Sequence, residues 1–148
     1  MQTTQTTLND GAIDALDKAL VRSLDAKAGF RTMVEKSEPE FKSVATEFLT
    51  LHTAHADRLS VLLKNHGQEP DTDGSFMAKI NEGVVTLRAL VDEIDEDVMD
   101  NVRNGEKHVI SALDDAINAV PDAVPEHAAL VEMKTDLDAL LRRTQHLD

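Results

Sequence analysis

The stretch Phe48-Leu-Thr-Leu-His-Thr-Ala-His-Ala-Asp-Arg-Leu59 decides how the chain is read. Phe48, Leu51 and Leu59 recur at the spacing of one helical face. His52 lies four residues after Phe48 and His55 four before Leu59, so both imidazoles fall at the centre of that apolar stripe. A helix that carries two histidines inward belongs to a bundle with a polar layer inside it. The same stripe extends to Phe41 and Val44 on one side and Leu62 on the other. Ser37-Glu-Pro-Glu40 predicts its start, a capping box with proline in the first turn, and Gly67 its end.

Working outward, the neighbouring segments are also helical, and no period-two strand is found. A first helix is expected from a cap at Thr7, with Asp10 in its first turn, to about Lys36. Its inward stripe is Ile13, Leu16, Leu20, Leu24 and Ala28. Gln68 to Gly74 reads as a turn. Phe76, Ile80, Val84 and Val91 then mark a short third helix, and an acidic run from Asp92 to Asp100 places the start of a fourth near Asp95. That helix carries Val98, Val102, Val109, Leu113, Ile117 and Val120. Pro121 and Pro125 bracket the next turn, and a fifth helix, to about Gln145, turns Leu130, Met133, Leu137 and Leu141 inward. The expected fold is all-α: an up-down four-helix bundle with a short extra helix in the crossover connection, the ferritin-like arrangement. Residues 1–7 are expected to form a flexible arm and 8–148 a single domain.

Composition excludes several functions. The formal net charge of −13 opposes phosphate backbones and anionic lipids. Four phenylalanines are the only aromatic residues, too few for a base-stacking platform. No nucleic acid and no membrane are therefore expected as partners. With no cysteine, thiolate metal sites and a cysteine nucleophile are excluded. Met1 to Thr7 lacks the basic and apolar regions of a secretory signal, which predicts a cytoplasmic protein.

Two more polar residues fall on inward faces. Lys27 is three after Leu24, and Glu106 lies between Val102 and Val109. The matching turn of the fifth helix offers Met133, Lys134 and Leu137, none an oxygen or imidazole ligand. Gly29 and Gly105 flank the polar layer, and close helix approach is the expected reason for glycine there. The acidic run and Asp71-Thr-Asp73-Gly74 lack the pattern of a calcium loop. Ser60 and Ser111 have no His/Asp arrangement around them. His66, His108, His127 and His146 are expected at the surface or at helix ends.

Asp25-Ala-Lys-Ala-Gly29-Phe30, His55-Ala-Asp-Arg-Leu59 and Gly105-Glu106 together resemble a bacterial branch of the ferritin-like superfamily, domain of unknown function 2383. The resemblance runs from about Leu8 to the last helix. It implies the bundle with a crossover helix and kinship with rubrerythrin-type di-iron proteins. Such a di-iron site takes a Glu from each of two helices and a Glu-x-x-His pair from each of the others. Here Lys27 stands near the first-helix carboxylate position, His52-Thr-Ala-His55 replaces Glu-x-x-His, and the last helix supplies no counterpart. The expected outcome is a non-catalytic bundle with a degenerate di-iron site, no cofactor and a core ion pair between Lys27 and Glu106. Its role would be structural, stress-associated or an interaction with a second copy or another protein. The alternative is a metal-binding protein with weak oxidase or storage chemistry, in which His52, His55 and Glu106 hold a single Zn or Fe ion.

Overall fold

A computed structural model describes residues 8–37, 39–70 and 98–146. Within them lie four helices and no strand: α1 (Asp10–Lys36), α2 (Pro39–Asn65), α3 (Val98–Ala119) and α4 (Pro125–Arg143). The short helix expected over Phe76 to Val91, the start of its successor near Asp95 and the arm at 1–7 lie outside the described residues.

The ends follow local chemistry. Asn9, not Thr7, caps α1: its side chain accepts a hydrogen bond from the Ala12 amide at 2.8 Å. The Ser37 hydroxyl donates back to the Met33 carbonyl, so it closes α1, and Pro39 opens α2. After α2, Gly67 has φ 79°. There the amides of Gly67 and Gln68 donate to the carbonyls of Lys64 and Leu63, each at 3.0 Å. This paired closure requires the left-handed backbone that glycine adopts without strain. Pro125 supplies the preset φ of the first turn of α4.

Cross-links define the topology. Glu47 meets Arg143, Arg58 meets Glu132 and His66 meets Glu126, so α2 and α4 run antiparallel in constant register. Lys134–Asp114 and the Arg103 bonds to the carbonyls of Thr144 and Gln145 make α3 and α4 a second antiparallel pair. It follows that α2 and α3 run in the same direction. The end of α2 and the start of α3 therefore lie at opposite ends of the bundle, about 40 Å apart along an axis of 27 residues. α1 packs on α2 and α3, and α4 on α3 and α2. The pairs α1/α4 and α2/α3 are the diagonals.

The core departs from the expected stripes by a small rotation. Ala45, Phe48, Leu59 and Leu63 are buried on α2, while Val44 and Leu62 are only half-buried. On α4 Leu140 is buried and Leu141 is not fully so. Ala12, Ala15, Ala19 and Ser23 line the inner face of α1. Small side chains at these positions let the long helices of the α1–α2 hairpin pack closely.

Candidate functional site

The deepest polar contact joins α2 to α3. His52 is fully buried and Glu106 is 2% exposed. The His52 Nε2 lies 2.9 Å from Oε1 and 3.0 Å from Oε2 of Glu106, so one N–H is shared between both carboxylate oxygens. A hydrogen bond to a carboxylate in such a dry place is strong, and the pair satisfies two groups that would be costly alone. The His52 Nδ1 has no partner.

Aromatic packing fixes the ring. Phe30 of α1 stacks on Phe48, with centroids 4.9 Å apart and planes 10° apart. On His52 it stacks at 5.7 Å and 11°. Phe30 lies flat on the imidazole and so helps to hold its plane as Nε2 turns toward Glu106. Three helices thus build the contact: α2 gives the ring, α1 the stack and α3 the carboxylate.

His55 belongs to a different group. Its ring stands edge-on to His52, with centroids 6.5 Å apart and planes at 88°. Its Nε2 faces Asp136 of α4 at 3.5 Å, a long contact with a side chain that is 51% exposed. The His55 Nδ1 has no partner. Burial pushes the His55 pKa below its ordinary value of 6.5, more than the Asp136 bond raises it.

The expected polar layer is therefore rearranged. Glu106 is paired with His52, and no Lys27–Glu106 ion pair forms; Lys27 is half-buried and about one turn before Phe30, which takes the α1 place against the imidazole. The Nε2 atoms of His52 and His55 go to carboxylates on different helices. Among the described residues no three His, Asp or Glu side chains group as metal ligands, so His52, His55 and Glu106 do not share one focus. Met133 and Leu137 of α4 are fully buried beside this region. The donor set of a di-iron centre does not fit these residues: Glu106 is engaged with His52, α1 sets Phe30 against the imidazole, and the α4 carboxylate that faces His55, Asp136, is half exposed.

A cavity of about 270 Å³ opens beside Glu106, between α1 and α3. Phe30, Met33, Val102 and Val109 form its apolar walls, and Asp25 and Glu106 supply oxygens. Both glycines noted in the sequence line it. A Cβ added at Gly105 would meet nothing within 4 Å, so this glycine widens an open space and does not permit close helix approach. Asp25 Oδ1 is buried without a hydrogen-bond partner, and desolvation raises the Asp25 pKa above its usual carboxylate value. Arg22 offsets part of that rise, its Nη1 being 3.9 Å from the other oxygen.

Two features escaped the sequence reading. Asp25 sits next to the apolar stripe of α1, and spacing alone does not show a cavity between helices. His66 was expected at a helix end and is there, but paired: its Nε2 is 2.8 Å from Glu126 Oε2, with side chains 6% and 13% exposed. The signal available was positional. His66 immediately precedes the closing Gly67 and Glu126 follows the opening Pro125, so antiparallel helices bring the two ends together.

No helix of the described residues is long and apolar enough to cross a membrane. The family model described as Domain of unknown function (DUF2383) matches residues 11–119. No curated protein and no solved structure matches the chain.

Proposed function

The chain belongs to that family, described as Domain of unknown function (DUF2383), and on this premise we propose that it is a non-catalytic ferritin-like bundle whose di-iron layer has degenerated. Its role is structural or stress-associated, exercised in the cytoplasm through contact with a second copy or another protein. The ferritin-like reading is supported by the parallel course of α2 and α3, which demands one long crossover between two antiparallel hairpins.

The observation that carries the loss of metal chemistry is the closure of His52 on Glu106. A bridging carboxylate in a di-iron protein must present its oxygens to metal. Here both face one imidazole N–H, and the ring is held by Phe30 rather than by a further ligand. The contact now works as a diagonal tie that links α2 to α3 across the interior. Elemental analysis of untagged protein from cells grown with ample iron and zinc tests this reading. Metal well below one equivalent per chain is expected; stoichiometric iron or zinc would overturn it.

A further inference from the structure

The space beside the tie has features that a mere packing fault lacks. It is bounded by flat and polarisable apolar side chains, Phe30 and Met33, on α1 and by Val102 and Val109 on α3. Its charged groups are unequal. Asp25 Oδ1 has no partner, whereas Arg22 is half exposed and touches only the outer oxygen at 3.9 Å. Glu106 adds a second carboxylate on the facing helix, and His108 is exposed at the mouth. A desolvated carboxylate whose nearest cation stands 3.9 Å off and half exposed asks for a closer positive charge. The net charge of −13 favours approach of a cation from solution. Size bounds the occupant as well. An apolar cavity of about 150 Å³ admits benzene, so 270 Å³ accommodates an aromatic ring with a short substituent.

We propose that this cavity is a binding site for a small organic cation: a primary amine on an aromatic or branched aliphatic body, with its ammonium against Asp25 and its body among Phe30, Met33, Val102 and Val109. The ammonium meets the Asp25 carboxylate where that residue lines the cavity and where Arg22 stands off at 3.9 Å. A ring lying by Phe30 and Met33 gains stacking and sulfur contacts. Anions are repelled by the two carboxylates. Bare metal ions gain little from walls that are mostly hydrocarbon. The site goes beyond the function proposed above and does not depend on it.

The full-length chain tests the proposal by calorimetric titration with three matched probes: phenethylamine, neutral 2-phenylethanol and anionic phenylacetate. The amine should bind at least about tenfold more tightly than the alcohol, the size of one charge-assisted hydrogen bond, and the acid should not bind. Asp25→Asn should lower the amine to the affinity of the alcohol and leave the alcohol unchanged. Gly105→Leu should abolish both by filling the space, and its thermal melt checks that the fold is intact, the added Cβ itself meeting nothing within 4 Å. Protein stripped with chelator should bind the amine equally, which separates this outcome from metal content. Equal affinities for amine and alcohol, no binding of either, or amine binding untouched by both substitutions would overturn the proposal.

Discussion

His52 and Glu106 reach each other across the diagonal of the bundle, with Nε2 2.9 and 3.0 Å from the two carboxylate oxygens, although the backbones of their helices do not come into contact. Such a bond is the only direct polar link described between α2 and α3, so its loss falls on the interior as a whole. Glu106→Leu should destabilise by about 3 kcal/mol because it strands a buried imidazole donor. Glu106→Gln keeps an acceptor and should cost about 1 kcal/mol. Combining His52→Leu with Glu106→Leu should recover most of the loss. Denaturant unfolding of the cycle reads this coupling, and additive single losses would show that the pair does not act together.

Lys27 should matter little by comparison. It forms no ion pair with Glu106 and is half-buried. Lys27→Ala is expected to cost under about 1 kcal/mol, mostly lost packing of its aliphatic stem. It should not couple to Glu106→Gln. A loss as large as that of Glu106→Leu would mean that the ammonium reaches the carboxylate in solution.

Gly105 offers a stabilising change. A methyl group there meets nothing within 4 Å, and glycine inside α3 costs about 1 kcal/mol relative to alanine. Gly105→Ala should therefore raise stability by up to about 1 kcal/mol in thermal or urea unfolding. Destabilisation would indicate that the open space beside α3 is absent.

Acid should weaken the fold through His55. Burial sets its folded pKa below the ordinary 6.5. The unfolded chain then takes up a proton first as pH falls, so the stabilising contribution is present above about 6.5 and is lost as pH falls through the folded value. Wild type and His55→Leu should differ in the slope of stability against pH across that window, the variant being flatter. Identical slopes would show that His55 is protonated as readily in the folded chain as in the unfolded one.

Helix ends were the most legible part of this fold. Pro39, Gly67 and Pro125 act through their own backbone restrictions, which need no tertiary context. The inner faces were legible to within one position. Val44 and Leu62 are more hydrophobic than Ala45, Ala56 or Ser60 and so dominate a stripe counted from sequence, yet the smaller residues occupy the close seam. His52, His55 and Glu106 were correctly placed in the interior, since all three are buried. Their pairing was not legible. Periodicity gives the direction of a side chain about its helix but not its height relative to a diagonal neighbour. One turn separates Lys27 from Phe30, and that turn decides whether an ammonium or an aromatic face meets the imidazole. Asp136 was missed because it lies off the stripe of α4, and Asp25 because its significance depends on an empty volume between two helices.

On the proposed function, the His52–Glu106 contact has replaced metal binding. Thermal unfolding of metal-free protein, titrated with Fe²⁺ under anaerobic conditions and with Zn²⁺, tests it most directly. A ligand specific to the native state adds about 2.7 kcal/mol at a hundredfold excess over its dissociation constant, a shift of several degrees in a domain of this size. The account predicts no such rise for either metal, and the same flat response in His52→Ala and Glu106→Ala. A saturable rise in wild type that disappears in both variants would contradict it.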